Sequence, residues 1–282
     1  MIDNIKQNLE NHLKEIVRER DPFLSTQGHF YVKEYIRQEF KKWGKLENFE
    51  FNYNNKTYEN LILNLPSKPN SKSKPPILIG AHFDTVIGSA GADDNGTGIA
   101  VLLELARFFY HYPSHYPIRL VAFDLEKYGL VGSSAYADSL KQQKQKIRLM
   151  ISLEMLGYCN PNPNSQLYPP GINYFYPSTG DFIALIGNLS TIPDLIKISG
   201  CIRKKNSPCE WLVVPFGGKI VSDTRRSDHA PFWDNNYKGI MITDTANLRN
   251  PNYHKPSDTL DTIDLDFLAG VCYGLATAIQ NF

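Results

Sequence analysis

No stretch of the 282-residue sequence approaches the ~18–20 consecutive apolar residues that a membrane-spanning helix needs. The first residues, MIDNIKQNLENHLKEI, contain neither an apolar signal core nor a cleavage site, so a cytoplasmic protein is expected. Charge of one sign is also lacking. Thirty Lys and Arg face 29 Asp and Glu, which leaves no general attraction to nucleic acid or to a membrane surface. Cysteine is scarce: Cys159, Cys201, Cys209 and Cys272 are too few for a disulfide scaffold and have no metal-finger spacing. Reduced thiols are expected, with a bridge between Cys201 and Cys209 only in an oxidising compartment. Internal repeats are absent.

What the chain does have is enough apolar residue, 42%, for a sizeable core. The N-terminus reads as an amphipathic helix with Ile5, Leu9, Leu13, Ile16 and Val17 on one face. A second helix is expected over 27–43, with Val32, Tyr35, Ile36 and Phe40 inward. ENFEFNY and TYENLILNL read as strands joined through NNK in a hairpin. PSKPNSKSKPP, residues 66–76, reads as a solvated polar loop. From residue 77 short apolar runs (77–81, 118–123, 147–153, 182–186 and 239–243) alternate with helical patterns, notably 98–110 and 130–142. Strands that are apolar throughout are buried on both faces. The last helix is expected over 265–279, with Leu268, Val271, Cys272, Leu275 and Ile279 inward and Asp264 as its N-cap. The expectation is one α/β domain over residues 1–282, a mostly parallel twisted sheet sandwiched between helices.

In open α/β sheets ligands collect beyond the carboxyl ends of the strands. His82, Phe83 and Asp84 follow the first such strand, then SAGADDNGTG; Asp124, Leu125, Glu126 and Lys127 follow the second; Glu154 follows the third; Asp244 and then NPNYHKPSDT, with His254, follow the late one. Mixed histidine and carboxylate ligands suit a catalytic zinc or a similar divalent ion. His82 and Asp84, two apart on extended chain, point the same way, so Asp84 can orient the His82 ring. GADDNGTG sets two aspartates in a Gly-flanked turn before a helix, where a carboxylate can bridge two ions. A His-x-Asp pair or a DDNG turn alone is commonplace; their conjunction at four strand ends carries the reading.

GAHFDTVIGSAGADDNGTGIAVLLELAR, FDLEKYGLVGS, SLEMLGY and RNPNYHKPSDT, in this order, resemble the four signature blocks of the co-catalytic zinc exopeptidases. That family includes bacterial leucyl-type aminopeptidases, glutamate carboxypeptidases and, as a branch, glutaminyl cyclases. The resemblance implies the fold just described, a peptide substrate, and site residues at matching positions. His82 and Glu154 are similar to ligands of one zinc, Asp94 to the bridging ligand, and His254 to a ligand of the other zinc. Glu126 matches the general base, the first of two consecutive glutamates. Lys127 stands where the second glutamate would hold the His254-side zinc, so the resemblance implies one zinc and leaves the second in question. Lys127 either pairs with Asp94 in the second ion's place or turns aside, leaving Asp124 as the nearest substitute ligand. An aminopeptidase-type hydrolase is the resulting expectation. A glutaminyl cyclase is the rival that Lys127 disfavours, since the cyclases' single zinc uses that position. A weakened, peptide-binding relative is the other alternative, and the oligomeric state stays open.

Other segments invite function less directly. Residues 158–181, rich in Pro, Asn and Tyr, read either as a lid lining a pocket through Tyr168, Tyr174, Phe175 or Tyr176, or as a packed surface loop. HYPSH, residues 111–115, has histidines four apart but contains Pro113 and reads as a connection. In TRRSDHAPFW, Asp228 or His229 reaches the pocket or caps a short helix.

Overall fold

The computed structural model describes residues 1–69, 74–169, 171–205 and 207–282. Residues 70–73 of the expected polar loop therefore lie outside the described residues; its flanks are partly or fully exposed coil.

Two helices open the chain, α1 (Ile2–Ile16) and α2 (Thr26–Lys41). Four residues of α1 recur at helical spacing and are buried: Ile5, Leu9, Leu13 and Ile16. A hairpin follows, β1 (Leu46–Tyr53) with β2 (Lys56–Leu65). Its turn is Asn54–Asn55, both left-handed (φ 48° and 61°), the geometry that matches strand twist and that asparagine tolerates. Lys56, expected in the connection, is already strand.

The alternating part then runs β3 (Ile77–His82), α3 (Gly98–His111), β4 (Ile118–Phe123), α4 (Val131–Gln142), β5 (Leu149–Glu154), β6 (Ile183–Asn188), α5 (Ile192–Arg203), β7 (Cys209–Val214), α6 (Ala230–Asp234), β8 (Gly239–Thr243) and α7 (Leu265–Gln280). The eight strands form one sheet in the order β1-β2-β4-β3-β5-β8-β6-β7. β4, β3, β5 and β8 are mutually parallel neighbours, while β2 joins β4, and β6 joins β8, antiparallel. The mostly parallel α/β architecture is as expected. Helix α5 and edge strand β7 are additions that the sequence pattern did not reveal.

The period of two along each central strand divides the core. Ile77, Ile79, Leu120, Ile151 and Ile242 face the cluster that includes α1, α3 and α7. Leu78, Val121, Phe123 and Met150 face Tyr136 of α4 and Phe232 of α6. Gly80 lies on this second face, where a Cβ would come within 2.2 Å of the Phe123 ring. The same parity carries His82 and Glu154 to the second face, beside each other at the carboxyl rim. Asp264 caps α7 as expected, accepting from the N–H groups of Asp266 and Phe267.

One buried side chain braces the loop leaving β3. Arg20 is 0% exposed. Its guanidinium donates to the carbonyls of Phe83 (2.6 Å), Ala90 (2.7 Å) and Gly91 (2.9 Å). Burial pushes it down to about 10, against the pull of Asp94, so it remains charged at neutral pH. These contacts fix the chain between His82 and Asp94. Arg20→Leu would strand three buried carbonyls, and urea unfolding should report a loss of ~3 kcal/mol or more. A loss below about 1 kcal/mol would mean that the loop finds other partners.

Candidate active site

The carboxyl ends of β3, β4 and β5 are adjacent, so His82, the turn after Phe123, and Glu154 meet at one rim. His82 Nε2 lies 3.4 Å from Asp94 Oδ1, 3.5 Å from Glu154 Oε2 and 3.7 Å from Glu126 Oε2. His254 Nε2 lies 3.0 Å from Asp94 Oδ2. Every candidate ligand named from the sequence is thus within this cluster. Among the described residues, the group whose donor atoms all lie within 4.8 Å of one another is His82, Glu126 and Glu154, and Asp94 is not part of it.

Lys127 points inward. Its Nζ is 2.8 Å from Asp94 Oδ1 and 3.1 Å from Glu126 Oε2, and its side chain is 8% exposed. Neither contact is aligned as a hydrogen bond, since both oxygens lack hydrogen-bond partners. The interaction is charge against charge. Asp124 faces the opposite way, with Oδ1 2.8 Å from His29 Nε2. It is therefore not placed to stand in for a ligand at the rim.

Asp84 lies beside the His82 ring, where the sequence put it, and it also holds the neighbouring turn. Its carboxylate accepts the backbone N–H of Glu126 (3.0 Å) and of Lys127 (2.9 Å). The His82 ring sets Nδ1 3.1 Å from the main-chain oxygen of Asp84 and 3.5 Å from its carboxylate. Asp84 thus meets both the His82 ring and the turn that follows β4.

The DD turn, Ala92–Thr97, is built from behind by residues that sequence reasoning missed. Asp258 accepts the N–H of Asp93 (2.9 Å) and of Asp94 (3.1 Å). Asn95 bonds Leu153 and Met155 on either side of Glu154 (2.8 and 3.1 Å), tying the turn to β5. Asp93 turns away, accepting from Gly157 N–H and Asn250, so Asp94 alone of the pair faces the rim. Ser227 was also missed: its Oγ donates to Glu154 Oε2 at 2.7 Å and lies 2.8 Å from Ser152 Oγ. Asp228 and His229, the residues singled out from that block, sit beside it but do not line the cavity. Asp228 is buried with both oxygens unpartnered. His229 occupies the N-cap position of α6 without a side-chain capping bond, its Nε2 2.8 Å from Thr224 O.

The electrostatics are those of an acidic cluster seeking cations. Burial pushes the Glu126 carboxyl above its ordinary range, against the opposing pull of Lys127 and His82. Burial acts the same way on Asp94, but the Lys127 ammonium, with His254 and His82, holds it well below that range. Burial would lower Lys127, yet Asp94, Glu126 and Glu154 keep it well above the usual lysine value. Burial likewise opposes protonation of His82, and Glu126 and Glu154 override it.

A cavity of about 90 Å³ opens beside Glu154. Its apolar wall includes Ile186, Val221, Met241, Leu248 and Pro169, with Thr243, Arg226 and Tyr253 contributing polar atoms. The long loop 158–181 reaches it through Pro169, while Pro170 lies outside the described residues. None of the four aromatics named from the sequence lines this cavity. Tyr174 and Phe175 are 84% and 82% exposed, and Tyr168 and Tyr176 stack on each other. HYPSH is the end of α3 and a connection, as expected. All four cysteines are free. No helix among the described residues is long and apolar enough to cross a membrane.

The model of peptidase family M28 matches residues 60–191 and 197–278, and the chain belongs to that family. It is 35% identical over 221 residues to "Uncharacterized protein YfbL" of Escherichia coli K12, covering 73% of this chain and 67% of that one. It is 29% identical over 230 residues to "Aminopeptidase YwaD" of Bacillus subtilis, covering 77% of this chain and 43% of the relative, and so spans under half of that protein's length. Among solved structures, a leucine aminopeptidase precursor from Bacteroides thetaiotaomicron superposes with a TM-score of 0.71 at 19% identity, over 100% of this chain and 97% of the other, a likeness of fold.

His229 gives this block a pH signature. Burial pushes its imidazole from 6.5 down to about 4. The unfolded chain therefore takes up the proton first, so this contribution is intact above pH 6.5 and is lost as pH falls toward 4. Urea unfolding should lose about 2 kcal/mol between about pH 7 and about pH 5 on this account. His229→Gln should flatten that slope; an unchanged slope would mean that His229 is not the group responsible.

Proposed function

We propose that the chain is a metal-dependent exopeptidase of the aminopeptidase type, acting on short peptides with one zinc at the His82 side of the rim. The observation that carries this reading is the meeting of His82, Asp94, Glu126 and Glu154 at three adjacent strand ends. The donor set fits a cation: His82 Nε2 is buried without a hydrogen-bond partner and faces three carboxylates. In this reading His82, Asp94 and Glu154 hold the ion. A zinc ion there would act as a Lewis acid, lowering the pKa of water toward ~7 and polarising the scissile carbonyl.

The remaining work belongs to the chain's own groups. Glu126, its carboxyl raised by burial, takes a proton from the attacking water and returns it to the leaving amine. Asp84 holds the backbone that carries Glu126, and Ser227 fixes the orientation of Glu154. Lys127 neutralises Asp94 where a second ion would sit, leaving only Asp94 and His254 on that side. The 90 Å³ cavity suits a medium aliphatic side chain, being smaller than the ~150 Å³ that holds a benzene ring. The cyclase alternative has no support in a lysine at position 127. A cytoplasmic setting belongs to this reading, supported by four thiols that remain free.

Glu126→Gln should retain zinc and lower turnover by ~10²-fold or more on an aminoacyl anilide; near wild-type turnover would remove Glu126 from the role. A zinc titration at fixed pH should give one ion per wild-type chain. Lys127→Glu should move it toward two, with Lys127→Ala between them in affinity for the second ion. Tight binding of two ions by wild type would show that Lys127 moves aside.

A further inference from the structure

The end of the sheet opposite the catalytic rim carries a separate hollow of about 550 Å³. It lies where the chain enters β3, β5 and β8, and it is lined by Pro75, by residues 144–148 and by residues 235–238, with Lys141 of α4 beside them. The three connections are tied together. Arg148 N–H donates to Pro76 O (2.8 Å), Met150 N–H to Lys238 O (2.9 Å) and the Tyr237 hydroxyl to Gln145 O (2.9 Å). The hollow is therefore built into the fold, and its volume falls in the ~300–1,000 Å³ range of ligand pockets. Five cations line it, Lys141, Lys144, Lys146, Arg148 and Lys238, and no carboxylate does. Arg148 is neutralised by Asp194 at 2.6 Å. None of the four lysines forms an ion pair with an acid among the described residues. Asp138 and Asp234, on the flanking helices, meet Asn235 (2.8 Å) and Arg225 (2.6 Å). A chain of net charge +1 thus sets four unpaired ammonium groups around one hollow. The carboxyl end of α4 accounts for Lys141 and Lys144, because cations there offset its exposed carbonyls. It does not account for Lys146, ahead of β5, or for Lys238, ahead of β8.

We propose that this hollow is a binding site for an oligophosphate, a compact anion that carries several negative charges. Lysine ammonium groups bind phosphate as point charges, and four from separate segments meet such an anion from more than one side. A concave site of this kind suits a compact ligand better than a flat membrane surface or an extended nucleic-acid strand. Ile147 and Tyr237, both half-buried, add apolar surface together with Pro75, so an oligophosphate joined to a nucleoside finds a wall for its base. The site is independent of the activity proposed for the rim, which lies at the other end of the same strands.

The test is calorimetric titration of the full, zinc-supplemented chain with inorganic tripolyphosphate and, separately, with ATP. Both should bind, and more weakly as salt is raised. Lys146→Gln combined with Lys238→Gln should weaken both by about tenfold or more, with the midpoint of urea unfolding unchanged. Lys41→Gln combined with Lys45→Gln removes the same charge from exposed positions elsewhere and should bind as wild type does. An anion drawn instead to the zinc or to Lys127 would be indifferent to the hollow's pair. Tighter binding of ATP supports a site that reads the nucleoside as well; equal binding supports one that reads the phosphates alone. Failure of both anions to bind, equal weakening by the two pairs of substitutions, or binding lost in Lys127→Met and untouched by the hollow's pair overturns the proposal.

Discussion

Four carboxyl groups, Asp84, Asp94, Glu126 and Glu154, are buried within a few side chains of one another, none more than 7% exposed. Removing that much charge from water is costly unless each group is paired or hydrogen-bonded. Much of the structure around them answers this one demand. Asp84 is met by two backbone N–H groups, Glu154 by a serine hydroxyl, Asp94 by a lysine and a histidine, and Glu126 by that same lysine. The parallel order of β4, β3 and β5 brings the groups to one rim. Arg20 and Asp258 hold the one loop, between β3 and α3, that carries Asp84 and Asp94, the first donating to its carbonyls and the second accepting from its N–H groups.

The demand also explains why a lysine can sit in so enclosed a place. An isolated ammonium there would shed its proton. Among three carboxylates it is held more tightly than in water, and its removal alone would leave Asp94 and Glu126 facing each other.

Much of this was legible in the sequence, for reasons that differ by element. β3, β4 and β5 are buried on both faces and read as unbroken apolar runs, so the residues just past them could be found by position. His82, Glu126, Lys127 and Glu154 were therefore visible. β7 is an edge strand with a half-exposed interior, CEWLVV, and β6 pairs antiparallel to its neighbour β8, so neither the edge nor the reversal had a local signal. Ser227 meets Glu154 across 73 positions, Arg20 meets Phe83 across 63, and Asp258 meets Asp93 across 165. No periodicity marks such contacts. The aromatics of loop 158–181 misled because they satisfy one another and the backbone: Tyr168 bonds Pro177 O and Tyr176 bonds Trp211 O, leaving an unremarked proline as the cavity wall.

The grip of Asp84 on two successive peptide N–H groups has an evolutionary consequence. It fixes the main chain at positions 126 and 127 without touching either side chain. These two backbone bonds are therefore indifferent to what residue 127 carries. Glutamate and lysine codons are separated by a single base. A lineage can cross between them in one step with both backbone bonds kept, so the charge of this rim is open to selection at the level of one nucleotide.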